Sequence, residues 1–222
     1  MLVEKQKIVL PKAEALWPKL VEPDNYEGSL DYKVSLILDP SEAGVQELLD
    51  EITETAEAQL FKAKAELTKK GGANIKKASE LKCSLPFAPE YEQDGSETGR
   101  YILKAKSKAA GVTAAGKKWE RKIPLFDAGT SGKVKPIPHG SVGIFSGSIL
   151  KVEVVANPYI ALGLKIAGLS FYINAVQVIE LSGGGGGGSF GCEEGGFDAS
   201  DIPEESENPA PYHQDSDHEM DF

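Results

Sequence analysis

The sequence predicts a mainly β fold: a small antiparallel barrel or sandwich with one long α-helix inserted near its start, followed by an acidic C-terminal tail with no fold of its own. Three observations carry this expectation. Several segments alternate apolar and polar residues with period two, most clearly Leu30-Asp31-Tyr32-Lys33-Val34-Ser35-Leu36. Only residues 45–67 repeat their apolar positions at helical spacing, so the chain lacks the alternation of strands and helices that builds a parallel sheet. Residues 183–188 are six consecutive glycines, and the segment after them is acidic and poor in apolar residues.

In chain order, MLVEKQKIVL alternates weakly and suits an edge strand. It has neither the long apolar run nor the small-residue cleavage site of a secretory signal, and no segment approaches a membrane span. The expectation is a soluble intracellular protein whose two distant cysteines, Cys83 and Cys192, stay reduced. Leu30, Tyr32, Val34, Leu36 and Leu38 share one face of the clearest strand, which Pro23-Asp24-Asn25 and Asp39-Pro40 punctuate. Asp39 then suits a helix N-cap, with Pro40 at the first helical position and Glu42 at capping-box spacing. Val45, Leu48, Leu49, Ile52, Ala56, Leu60, Ala63 and Leu67 continue an amphipathic packing helix to about Lys69, ended by Gly71-Gly72. Residues 71–99 read as irregular, anchored by Leu85-Pro86-Phe87.

Residues 100–108 and 117–126 both read as strands, and the small residues between them suggest one long hairpin. A Gly- and Pro-bearing loop leads to a strand that places Leu150, Val152 and Val154 opposite Lys151, Glu153 and Val155, with Asn157-Pro158 expected to break it. The last strand, residues 169–181, loses its alternation between Ala175 and Val178, which suggests a bulge or burial on both faces. Five or six curved strands, a helix at one end and extended basic hairpins suit an OB-like barrel. Residues 1–182 are expected to form it. Residues 183–222 are expected to be a flexible linker and disordered tail, since no Lys-Ser or Lys-Thr follows the glycines to make a phosphate cradle.

Charge is distributed unevenly. Residues 100–135 hold ten basic side chains against two acids, Glu120 and Asp127, a net of +8 in a chain of formal charge -10. Residues 182–222 hold eleven acids and no Lys or Arg, which leaves 24 basic against 23 acidic residues in the body. A basic region beside an acidic arm points to a polyanionic partner. Lys104, Lys106 and Lys108 share a strand face, with Tyr101, Leu103, Ala105 and Ser107 behind them; Lys117, Lys118, Trp119, Arg121 and Lys122 continue the positive run, with Trp119 and Arg121 on one face.

Phosphates need cations without strict geometry, and unpaired bases need flat aromatic surfaces, so this combination suits a single-stranded nucleic acid. Trp119 is better placed for stacking than Tyr101, which faces the core; Phe126, Phe145 and Tyr159 are further candidates. An enzyme is hard to assemble. His139 is alone in its loop, His213 and His218 lie in the tail, and no nucleophile–base pair or metal-ligand spacing is present, so neither cofactor nor metal is expected. A different class remains open, an OB-like adaptor or inhibitor that uses its acidic tail to occupy a basic surface on a host enzyme.

The order of Glu22-Pro23-Asp24, Tyr32-Lys33-Val34, Pro86-Phe87, Lys104-x-Lys106, Asn157-Pro158-Tyr159, Glu180-Leu181, the glycine run and the terminal Asp221-Phe222 resembles the single-stranded-DNA-binding proteins encoded by short-tailed bacteriophages. The resemblance implies an OB-fold protein that coats single-stranded DNA in phage replication, recombination and repair in the host bacterial cytoplasm, and that can form a homodimer. It implies that Lys104 and Lys106 hold backbone and that Tyr159 stacks on a base. It further implies that the tail competes with DNA and contacts DNA polymerase and helicase-primase, through Asp217, Glu219, Asp221 and Phe222. The tail is less densely acidic than in that family, and Ile160 to Gly163 is a small, neutral run where the family is more polar and aromatic.

Overall fold

The computed structural model of the chain describes residues 6–129 and 132–183. Its elements in order are β1 (Lys7–Val9), β2 (Ala13–Tyr26), β3 (Ser29–Leu38), α1 (Val45–Lys70), α2 (Ala73–Glu80), β4 (Lys82–Ser84), β5 (Phe87–Tyr91), β6 (Glu97–Lys108), β7 (Ala110–Val112), β8 (Lys118–Glu120), β9 (Leu125–Phe126), β10 (Pro136–Ile137), β11 (Ile149–Ala161) and β12 (Ile166–Glu180). Strands β2, β3, β6, β12 and β11 pair in that order, and β11 pairs back with β2 to close a five-stranded barrel. All these pairings are antiparallel except β6 with β12, which meet in parallel at Ala105 and Phe171. The expected mainly β, OB-like barrel with one long helix is therefore the observed fold.

Alternation builds the core. Val34, Leu36 and Leu38 of β3, Leu103 and Ala105 of β6, Leu150, Val152 and Val154 of β11, and Leu169, Phe171 and Ile173 of β12 all point inward and are buried. Each large side chain so buried contributes about 1.5–3 kcal/mol relative to exposure. Helix α1 divides its apolar face between two tasks. Val45, Leu49, Ile52 and Ala56 join the barrel core, while Ala63 and Leu67 pack with Ala78, Leu81 and Ala167 in a smaller cluster with α2.

Several boundaries differ from expectation, each for an identifiable reason. Strand β2 covers 14 residues where no strand was expected, because Pro18 and Pro23 break its pattern. Register shifts between Leu16 and Lys19 and between Lys19 and Asp24 absorb them. Asp24 and Asn25 thus lie within β2, which turns into β3 through Glu27-Gly28 with φ of 49° and 80°, the positive pair a tight two-residue hairpin requires. Helix α1 begins at Val45, not at Pro40. Asp39 instead accepts bonds from the Ser41 backbone N–H (2.8 Å) and hydroxyl (2.6 Å), closing a turn that holds its carboxyl below the ordinary range. Residues 71–99, read as irregular, contain α2, β4 and β5.

The long basic hairpin does not form. One edge of β6 is taken by β3, from Asp31–Lys108 to Leu38–Tyr101, and the other by β5 and β12, so no edge is left for residues 117–126. Those residues form β8, which pairs with β7 in a separate two-stranded sheet, and β9, which joins β12 in parallel. Asn157-Pro158 does not break β11 either. The Ala156 N–H points outward to the Gln6 carbonyl, so the N–H that Pro158 lacks, two residues on, would point to the same outer edge and not to β12. Strand β12 is irregular on either side of the stretch from Ala175 to Val178: at Asn174, where Val154 opposes Ile173 but Glu153 opposes Ala175, and at Ile179, where Leu150 opposes Val178 but Ile149 opposes Glu180.

Gly168 of β12 makes the closest approach in the fold: a Cβ there would lie 1.9 Å from the Ser84 carbonyl oxygen of β4. Gly168→Ala should therefore push β4 from β12 and destabilise the protein by about 1–3 kcal/mol, measured by urea denaturation. An unchanged midpoint would mean that β4 does not dock as described.

Candidate nucleic-acid interface

The phase of β6 positions the site. Because Leu103, Ala105 and Ser107 are buried, Lys104, Lys106 and Lys108 must stand outward, as the period-two reading expects. On the neighbouring strand β3 the same rule exposes Lys33, whose register partner is Lys106. Two lysines directly opposed on one sheet face repel each other. Asp24 lies 2.5 Å from the Lys33 ammonium and offsets part of this repulsion; among the described residues no acidic group forms a salt bridge with Lys104, Lys106 or Lys108, although Asp31 stands opposite Lys108 in the ladder.

Two hollows lie over this face. One, of about 600 Å³, is lined by Trp17, Lys33, Ser35, Lys104, Lys106 and Tyr159, with Leu85 and Pro86 at its floor. The other, of about 590 Å³, is lined by Lys106, Lys108, Trp119, Arg121, Tyr172 and Asn174. Lys106 lines both, so the two form one track across β3, β6 and β12. Lys104 to Lys108 covers roughly 13 Å of it at strand rise.

Each aromatic on the track has a specific support. The Tyr159 hydroxyl donates to Ser84 Oγ at 2.7 Å, tying its half-buried ring to β4. The Trp119 indole rests on Gly111, where a Cβ would meet ring atoms at 2.8–2.9 Å. Tyr172 projects from β12 between the buried Phe171 and Ile173 and is 44% exposed. The Ile173 carbonyl, beyond the one residue pair that joins β12 to β6, accepts from both the Ser107 hydroxyl (2.8 Å) and the Arg121 guanidinium (2.7 Å). Arg121 thus joins the basic loop to the barrel while its remaining donors face the second hollow.

The ten cations of residues 100–135 do not all converge. Lys104, Lys106, Lys108 and Arg121 line the track, and Lys118 stands beside Trp119 in an adjoining hollow with Lys108. Lys117 sits in the exposed turn of the β7–β8 hairpin, and Lys122 lines a separate hollow with Pro23 and Tyr32. Arg100 is engaged with Glu90 at 2.7 Å. Tyr101 packs edge-to-face on Phe87 with ring centroids 5.4 Å apart, the core role its strand phase implies. Phe126 is half-buried, and Phe145 is exposed but lines neither hollow. Asp217, Glu219, Asp221 and Phe222 lie outside the described residues. Sequence reading missed Trp17, Lys33 and Tyr172 as site residues. Strand alternation carries the signal for the last two, whereas nothing in the pattern marks Trp17.

Among the described residues no group of three or more His, Cys, Asp or Glu side chains could hold a metal ion, and no helix is long and apolar enough to cross a membrane.

No protein-family model matches the chain, and no curated protein matches it. Solved structures do. The crystal structure of gp2.5, a single-stranded DNA binding protein encoded by bacteriophage T7, superimposes with a TM-score of 0.67 at 22% identity, over 88% of this chain and 100% of that one. The single-stranded DNA-binding protein from bacteriophage Enc34 in complex with ssDNA gives a TM-score of 0.50 at 13% identity, over 80% of this chain and 88% of that one. The chain has the fold of these phage proteins.

The seat of Trp119 is directly testable. In a Trp17→Phe background, Gly111→Ala should displace the indole and shift its fluorescence emission, while stability stays within about 0.5 kcal/mol. Unchanged emission would show that the ring does not rest on Gly111.

Proposed function

We propose that this protein binds single-stranded DNA without sequence preference, with the strand laid across β3, β6 and β12 on the outer face of the barrel. The observation that supports this most is the single track in which Lys104, Lys106 and Lys108 alternate with Tyr159, Tyr172 and Trp119. Lysines at strand spacing neutralise successive phosphates, and exposed rings stack on bases whatever their identity. The lysine row of the track lies on one curved strand of the barrel, which suits a flexible single strand. The face used is the one formed by the second and third barrel strands, where OB-folds bind oligonucleotides. Arg121, Lys118, Lys117 and Lys122 extend the positive field beyond the track and steer the strand toward it.

In this reading the protein coats single-stranded DNA during phage replication, recombination and repair, and carries no catalytic role. Residues 1–182 form the binding domain. Residues 183–222 act as a tethered acidic competitor, since they hold eleven acids and no Lys or Arg. A ligand tethered in cis acts at roughly millimolar effective concentration, so a weak tail contact is enough to lower apparent DNA affinity. The same tail, through Asp217, Glu219, Asp221 and the terminal Phe222, recruits replication proteins such as a polymerase or helicase-primase: one apolar anchor set among charges docks in a basic groove with a hydrophobic pocket.

The test is binding of a fluorescent oligo-dT, about 30 nucleotides long to exceed the roughly 4–16 of one OB-fold site, against its duplex over a salt series. The expected result is preference for the single strand, with log affinity falling against log salt at a slope near -3.5 if about five phosphates are neutralised. Ending the chain at Leu181 should tighten binding; unchanged or weaker binding would reject the competition by the tail. The double variant Lys104→Glu, Lys106→Glu should weaken binding more than tenfold. Full retention of oligo-dT binding by that variant would reject the track, whereas no oligo-dT binding by the parent would favour the adaptor reading.

A further inference from the structure

Trp17 has no evident structural reason to be a tryptophan. It sits at the bulge of β2 with φ of 46°, a left-handed conformation that a bulky residue adopts only at a cost and glycine adopts freely. Its side chain is 68% exposed and belongs to no buried cluster. The conformation is nonetheless firmly held. The Trp17 N–H donates to Ser146 Oγ at 2.8 Å, and the flanking Ala15 exchanges backbone bonds of 2.9 Å with Ser148 and Gly147. The bulge lies opposite Lys33 and Ser35, and the side chain lines the first hollow with Lys33, Lys104, Lys106 and Tyr159. A bulge beside a site re-aims a side chain, and strain maintained by surrounding bonds marks a residue kept for a task other than packing.

We infer that Trp17 is a stacking platform for one unpaired base, set on the side of the hollow away from Trp119, with Lys33, Lys104 and Lys106 holding the adjoining phosphates. The inference rests on the proposed single-stranded-DNA function and adds to it a base-contacting residue that no strand pattern marks. The rings of Trp17 and Tyr159 then bound the first hollow, and those of Trp119 and Tyr172 bound the second. A strand entering at Trp17 leaves at Trp119, and base contacts alternate with the lysine row of β6.

The chain has two tryptophans, so Trp119→Phe leaves Trp17 as the sole indole. In that background, oligo-dT should quench the Trp17 emission, whereas an abasic deoxyribose-phosphate oligomer of equal length should not. By labelled-oligonucleotide anisotropy, Trp17→Ala should weaken oligo-dT binding about tenfold, the size of one lost base stack, with the abasic affinity and the salt slope unchanged. Trp17→Gly should show the same loss of affinity with a melting temperature equal to or above that of the parent, because glycine relieves the backbone strain. This pairing of weaker binding with undiminished stability is a result a purely structural tryptophan cannot give. Oligo-dT binding by the parent with Trp17 emission unmoved, or with Trp17→Ala and Trp17→Gly at full affinity, would overturn this inference alone. No oligo-dT binding by the parent would overturn it together with the function it rests on.

Discussion

The inward burial of Leu103, Ala105 and Ser107 fixes the phase of β6, and most of what the surface can do follows from that phase. A strand paired on both edges cannot slip by one residue without turning its lysines into the core, and a buried unpaired ammonium would be prohibitively costly. The barrel therefore holds Lys104, Lys106 and Lys108 outward at fixed spacing. Ser107 contributes further: its buried hydroxyl donates to the Ile173 carbonyl of β12. Core packing and charge display on β6 are thus one constraint seen from two sides.

Two of the barrel's irregularities lie beside the track. The bulge in β2 presents Trp17, and a bulge in β12 presents Asn174, next to the Ile173 carbonyl that anchors Arg121. Regular pairing between them sets the lysine row. Opposing Lys33 to Lys106, with Asp24 on Lys33 and Asp31 opposite Lys108 as partial compensation, leaves a surface whose repulsion falls when phosphate arrives. The close approach of Ser84 to Gly168 brings the Ser84 hydroxyl to Tyr159 and so holds one ring of the track in place. Regular strands supply the spacing of the lysines and the outward aim of Tyr172, and the bulge in β2 supplies that of Trp17.

The sequence revealed those features that arise from local periodicity. The alternation of β3, β6 and β11, the apolar face of α1 and the outward lysines all follow from period two or 3.6 and are present as expected. What depended on long-range pairing was hidden. The edges of β6 were already filled by β3, β5 and β12, so the strongly patterned residues 117–126 could not join them, and a plausible hairpin became β8 and β9. Prolines misled in the opposite direction: Pro18, Pro23 and Pro158 all lie inside strands, at bulges or where an outward edge asks for no N–H. Tyr172 and Lys33 were recoverable from strand phase once their neighbours Phe171, Ile173, Tyr32 and Val34 were assigned inward. Trp17 was not, because its orientation comes from a bulge braced by Ser146, 129 residues away.

A second basic surface supplies the sharpest contrast to this account. Residues 62–82, at the α1–α2 corner, carry seven lysines against Glu66 and Glu80, a net of +5, with exposed Ile75 nearby. Charge alone does not distinguish that corner, which also exposes Phe61, from the β6 track; the several rings that line one continuous track do. Photo-crosslinking of an oligo-dT containing 5-iododeoxyuridine, followed by peptide mapping, separates the two directly. Crosslinks at Tyr159, Tyr172, Trp119 or Trp17 are the predicted result. Crosslinks confined to residues 60–82 would contradict the placement of DNA on the barrel face.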